Sequence, residues 1–79
     1  MSAIVKRSVS IRGHRTSFSV EQPFFDALQE MATERAISFA AIVTEIDESR
    51  ARDTNLSSAI RLYVLDRVRD RTLTRPMNE

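Results

Sequence analysis

Arg15, Ser17 and Ser19 recur with period two in the stretch RTSFSV, and Thr16, Phe18 and Val20 fill the positions between them. In a strand this period puts the guanidinium and the two hydroxyls on one face, with Thr16, Phe18 and Val20 on the other. The chemistry such a face offers is hydrogen bonding and positive charge. A short strand is not stable alone: one face needs a core and the edge needs a partner. One solution pairs identical strands from two chains, antiparallel, over helices. The outer face is then a polar ribbon of a size that the major groove of DNA admits.

Other chemistries find little support. One His, no Cys and dispersed carboxylates leave no metal-binding cluster with usable spacing. A chain with one glycine holds no Gly-rich phosphate loop. Ser57 and Ser58 follow a helix cap and have no base nearby in sequence. His14, beside Gly13, reads as a turn residue or a phosphate contact. The expectation is a protein with no catalytic residues, no metal and no cofactor.

The 79 residues make one domain, a size that buries only about 60% of its unfolded surface and is marginal as a monomer. Without Cys no disulfide can help, and a secreted, stapled scaffold is disfavoured. No apolar run is long enough for a membrane span, and MSAIVKRSVS lacks the apolar stretch of a signal peptide. A small cytoplasmic protein stabilised by dimerisation is the simplest reading. The net charge is only +1, but residues 1–20 carry Lys6, Arg7, Arg12 and Arg15 with no acid. Residues 21–53 carry eight acids against Arg35, Arg50 and Arg52. A basic arm on an acidic body suggests a polyanion for the arm, although a solvated tail would look the same.

The elements that must position these residues follow from pattern. Ser8–Arg12 (SVSIR) also alternates, and Gly13-His14 separates it from the main strand at 14–20. Two readings compete. Gly-His is a tight turn with Gly at its first central position, so that Ile11 faces Thr16 and Val9 faces Phe18. Alternatively, Gly13 is a kink and residues 1–13 are a basic extended arm, which accounts slightly better for the rest of the chain. Pro23 starts a first helix over 23–35, with Phe24, Phe25, Leu28, Met31 and Ala32 as its apolar stripe. Ser38 is an N-cap for a second helix over 39–49, with Ile42, Val43 and Ile46 inside and Ile37 and Ile42 as a hydrophobic staple. The segment EIDESRARD loses its apolar period and reads as a fraying end and loop. Asn55 caps a third helix over 56–71, with Leu56, Ala59, Ile60, Tyr63, Val64 and Val68 buried and Leu62 and Leu65 widening the stripe. Residues 72–79 should be loose.

RTSFSV, then FFDALQEMATERAIS, then an apolar second helix together resemble the ribbon-helix-helix (MetJ/Arc-type) family of DNA-binding proteins. The likeness covers roughly residues 14–49, and NLSSAIRLYVLDRVRD looks like a branch with an additional C-terminal helix. Many members turn between their helices through an Ala-x-Glu-Arg-Gly-Ile-Ser-like sequence. Here it reads Ala32 to Ser38, with Ala36 at the usual Gly. A left-handed backbone there costs Ala on the order of 1 kcal/mol more than Gly.

The resemblance implies a mainly α fold with a short β ribbon (α+β) and a third helix, built as an intertwined homodimer. Its core would include Phe18, Val20, Phe25, Leu28, Ile42 and Ile46. Base edges would be read by Arg15, Ser17 and Ser19. Phosphates would be held by the second-helix N-terminus at Ser38, Phe39 and Ala40, where unpaired N–H groups and the helix dipole favour anions. Lys6, Arg7, Arg12 and His14 would add phosphate contacts from the arm. The expected partners are double-stranded DNA, a second copy of the chain and possibly a second protein, with no membrane. A sequence-specific repressor or autoregulator fits best. The rivals are an antitoxin with a toxin-binding C-terminal segment and a protein-interaction module that has kept the fold without DNA binding.

Overall fold

The computed structural model describes residues 3–74, with side chains through residue 70. Two strands, β1 (Ile4–Ile11) and β2 (His14–Glu21), precede three helices, α1 (Gln22–Glu34), α2 (Phe39–Ser49) and α3 (Leu56–Thr74). The architecture is the expected α+β arrangement of a short ribbon followed by helices.

The ribbon, however, is made within one chain. β1 pairs antiparallel with β2, so residues 4–11 are a strand and not an extended arm. The turn is also one residue earlier than a Gly-His turn would be. Arg12 (φ 52°) and Gly13 (φ 81°) are its two left-handed central residues, the backbone of a type I′ hairpin turn, whose twist matches that of the flanking strands. Ile11 therefore faces His14, Val9 faces Thr16 and Arg7 faces Phe18. Open space surrounds the position of a Cβ at Gly13, so the positive φ is what favours glycine there.

Opposed residues share a face of the sheet, so Val5, Val9 and Ile11 join Thr16, Phe18 and Val20 on the side toward the helices. Ile11, Phe18 and Val20 enter one core with Phe25, Leu28, Met31, Ala32, Ile42, Val43, Ile46, Leu56, Ala59, Ile60 and Val64. The six residues assigned to a dimer core, Phe18, Val20, Phe25, Leu28, Ile42 and Ile46, are each at most 5% exposed in the single chain. β1 and α3 contribute to covering them within the chain, through residues such as Ile11, Leu56 and Ile60 of the same core.

Between α1 and α2 the chain forms a Schellman turn. Ile37 N–H donates to Ala32 C=O, Ala36 N–H donates to Thr33 C=O, and Ala36 is left-handed at φ 59°. α2 starts on Ser38, whose Oγ accepts from Ala41 N–H at 3.0 Å. It stays helical through Ser49, and beyond it Arg50 is held by Asp47 at 2.8 Å and by the Thr54 carbonyl at 2.7 Å. This part of EIDESRARD is thus tied down at a helix C-terminus where fraying was expected. α3 starts on Asn55, whose Oδ1 accepts from Ser58 N–H at 2.8 Å.

α3 departs from expectation twice. It continues through Thr74, past the expected end at 71; the rest of the tail expected to be loose, 75–79, lies outside the described residues. Leu62 (59% exposed), Leu65 (48%) and Val68 (47%) also lie outside the core. One side of α3 packs inward through Leu56, Ala59, Ile60 and Val64, and a helix cannot turn Leu62 and Leu65 to that same side.

Candidate nucleic-acid interface

The register that buries Phe18 and Val20 turns the alternate residues of both strands outward. The outer face comprises the opposed pairs Lys6–Ser19, Ser8–Ser17 and Ser10–Arg15. All are exposed except Ser19, which is half-buried. At the strand rise and strand spacing of a β-sheet, Lys6 and Arg15 are about 14 Å apart along a diagonal of the ribbon. The acid on this face, Glu21, lies at its end and is engaged by Arg61 at 2.8 Å. Hydrogen bonding to the Arg61 guanidinium holds the Glu21 carboxyl below its ordinary range. What remains is a hydroxyl-rich surface with one cation on each strand.

α3 closes the outer edge of β2. In a hairpin closed by an Ile11–His14 hydrogen-bonded pair, the N–H and C=O of Arg15, Ser17 and Ser19 point away from β1. Ser19 N–H accordingly donates to Ser57 Oγ at 2.9 Å, and Arg61 Nη2 donates to Ser19 C=O at 3.4 Å. The expected base-reading strand is therefore anchored at Ser19 by α3.

The other cations assigned to an arm fall elsewhere. Arg7 lies on the helix side of the sheet, its guanidinium carbon 4.5 Å from the centre of the Phe25 ring. Arg12, in the turn, pairs with Glu48 at 2.8 Å. His14 is exposed and lines a shallow cleft of about 250 Å³ with Ile11, Arg12, Thr16, Asp47 and Arg50. Lys6 alone of the four shares a face with Arg15, Ser17 and Ser19.

The N-terminus of α2 keeps two amides, of Phe39 and Ala40, with no hydrogen bond among the described residues, while Ser38 caps the third. The Phe39 side chain is not part of that feature. Its ring packs 5.3 Å from Phe25 and 6.1 Å from Phe18, centre to centre, which sets the start of α2 beneath β2. Only backbone groups of Phe39 are placed to meet an anion.

A second charged cluster has a structural role. Arg35, at the end of α1, makes two hydrogen bonds to Glu45 of α2, at 2.9 and 2.7 Å, and reaches Tyr63 Oη of α3 at 3.4 Å. The Glu45 hydrogen bonds raise the Arg35 pKa and lower that of Glu45. This cluster clamps the three helices together on the side chains of Arg35, Glu45 and Tyr63.

Ser8 and Ser10 belong to the outer face but were not among the expected site residues. The signal was present in the alternation of SVSIR, and only the reading of residues 1–13 as an arm concealed it. Ser57 and Arg61 were missed because their partners lie some forty positions away in sequence. No group of three or more His, Asp or Glu side chains suited to a metal occurs among the described residues, and no described helix is long and apolar enough to cross a membrane.

A family model described as a ribbon-helix-helix domain matches residues 4–68, a span that takes in β1 as well as the segment from β2 to most of α3. No curated protein and no solved structure matches the chain.

Proposed function

The chain belongs to the ribbon-helix-helix domain family, and from that premise we propose that it is a cytoplasmic, sequence-specific DNA-binding protein that acts as a homodimeric repressor or autoregulator. Each copy carries a complete two-stranded ribbon, so one chain inserts one ribbon into the major groove. The observation that carries this reading is the outer face itself. It presents Lys6 and Arg15 among exposed serine hydroxyls, and its acid is neutralised by Arg61.

Arg15 forms the discriminating contact, because a guanidinium pairs bidentately with guanine O6 and N7. Ser8, Ser10, Ser17 and Ser19 donate to or accept from base edges, and their short side chains let the backbone approach. Lys6 serves a phosphate at the groove wall, and the amides of Phe39 and Ala40 at the start of α2 offer a second phosphate site. Arg7 and Arg12 contribute less than their charge suggests, since each is already engaged within the fold.

The antitoxin alternative loses ground to the core packing of α3. Leu56, Ala59, Ile60 and Val64 are buried, so this half of the helix is not a segment waiting for a toxin. A gel shift on the DNA upstream of the protein's own coding region, repeated at several salt concentrations, tests the reading. The expected result is a shift whose log affinity falls linearly with log salt, by about 0.9 per phosphate neutralised. Absence of a shift on upstream and scrambled DNA alike, even at low salt, would leave the interaction-module alternative in its place.

A further inference from the structure

We infer that Arg61 is a positioning residue for DNA binding: from α3 it masks the acid at the end of the recognition face and leaves Lys6 of β1 free for a phosphate. The inference rests on the DNA-binding reading above and adds to it a residue outside the ribbon.

Glu21 continues the outward alternation of Arg15, Ser17 and Ser19. It lies opposite Ile4, and the next pair on the same face is Lys6–Ser19. Glu21 is thus diagonal to Lys6, a separation of about 7–8 Å that long side chains bridge. An unmasked carboxylate at this position has two costs. It repels phosphates held near Ser19, since two residues of strand span about 7 Å, less than the Debye length of about 8 Å at physiological salt. It also draws the Lys6 ammonium toward itself and away from DNA.

The fold gives Glu21 a different cation. Arg61 Nε donates to Glu21 Oε1 at 2.8 Å and Arg61 Nη2 donates to Oε2 at 3.4 Å, so both carboxylate oxygens are engaged. The same Nη2 reaches Ser19 C=O at 3.4 Å. One turn earlier on α3, Ser57 Oγ accepts from Ser19 N–H at 2.9 Å. Residues 57 and 61 are four apart and share one side of the helix. That side holds the end of β2 at two points and fixes the guanidinium against the acid. Each side chain of the Glu21–Arg61 pair is 34% exposed. An approaching phosphate therefore meets a neutral unit and not a carboxylate. Lys6 has no ion pair among the described residues.

Titrations of upstream and scrambled duplexes at several salt concentrations test this role, with thermal midpoints as a control for folding. The proteins are the full-length wild type, Arg61→Ala, Glu21→Gln and the double variant. Arg61→Ala should weaken binding to both duplexes alike, by about tenfold, because the unmasked acid repels any phosphate. Adding Glu21→Gln should restore the affinity, although the double variant still lacks the Arg61 contact to Ser19. Glu21→Gln alone should bind several-fold tighter, with a salt slope steeper by about one, because it frees Arg61 for a phosphate. Equal affinity of wild type and Arg61→Ala would overturn the role. A folded double variant as weak as Arg61→Ala would also overturn it, since Arg61 would then act through the fold alone. Should Arg61→Ala unfold, Glu21→Gln decides: weaker binding than wild type overturns the role, and tighter binding supports it. A wild-type chain that binds neither duplex at low salt would overturn the DNA-binding reading, and this role with it.

Discussion

Ser17 and Phe18 are neighbours in sequence, yet Phe18 is 3% exposed in the core and Ser17 is exposed on the opposite side of the sheet. The whole hairpin repeats this contrast. Its inner face, with Val9, Ile11, Thr16, Phe18 and Val20, is fixed by packing against three helices. Its outer face, with Lys6, Ser8, Ser10, Arg15 and Ser17, touches none of the core. The period-two backbone thus separates packed residues from exposed ones, position by position. Substitutions on one face should change stability, and substitutions on the other should change binding at constant stability.

The largest effect is expected on the inner face. Phe18→Ser removes a buried ring that contacts Phe39 and leaves a hydroxyl in its place. A loss of about 3–5 kcal/mol, a large part of a small domain's stability, should unfold the chain at ambient temperature. A cooperative thermal transition near that of the wild type would show that the hairpin is not integral to the core.

Joining the outer faces of the two strands should stabilise. Ser8 and Ser17 are directly opposed in a non-hydrogen-bonded pair, where the Cα atoms of antiparallel strands approach to about 4.5 Å. That distance suits a disulfide, and the chain has no other cysteine to compete. Ser8→Cys with Ser17→Cys should oxidise within the chain and add on the order of 2 kcal/mol. Covalent dimers on a non-reducing gel would point instead to strands exchanged between chains.

Ala36 offers a smaller gain, remote from both faces. Its left-handed backbone suits glycine, so Ala36→Gly should raise stability by about 0.5–1 kcal/mol in chemical denaturation. An unchanged or lower midpoint would mean that the turn relaxes without strain.

Acid should have the mildest effect, because the groups concerned are solvent-accessible. Glu21 and Glu45 are held below the ordinary carboxylate value of 4.5, chiefly by hydrogen bonds from Arg61 and Arg35. A carboxylate with a lowered folded pKa contributes its full stability above the unfolded value, and loses it as pH falls through the folded one. The thermal midpoint should therefore drop as pH falls below about 4.5, and Glu21→Gln should reduce that drop. An identical acid profile for the variant would mean that the Glu21–Arg61 pair adds nothing to stability.

The same contrast of faces explains what was legible in the sequence. Period two in RTSFSV separated Arg15, Ser17 and Ser19 from Phe18 and Val20, and the caps at Ser38 and Asn55 marked the starts of α2 and α3. Each of these signals is local: alternation, or a side chain bonding an amide three residues on. The hairpin was weighed, but its turn was misplaced, because a type I′ turn needs two left-handed residues and Arg12 does not announce itself as one. The closing of the β2 edge by Ser57 and Arg61 depends on where α3 docks, which no local pattern encodes. The exposure of Leu62 and Leu65 escaped for a related reason. A helix with apolar residues on two sides reads as broadly buried until the core is seen to take only one of them.

The central claim is that a ribbon made within one chain reads DNA through its outer face, and Arg15 is the residue on which it turns. Wild-type protein and Arg15→Ala should be titrated at several salt concentrations against upstream DNA and against a scrambled duplex, with thermal midpoints measured alongside. The expected result is a midpoint unchanged within about 0.5 kcal/mol of stability, together with a loss of about 1–3 kcal/mol of discrimination between the two DNAs. Unchanged binding of Arg15→Ala to every duplex would contradict the claim and move recognition away from the ribbon.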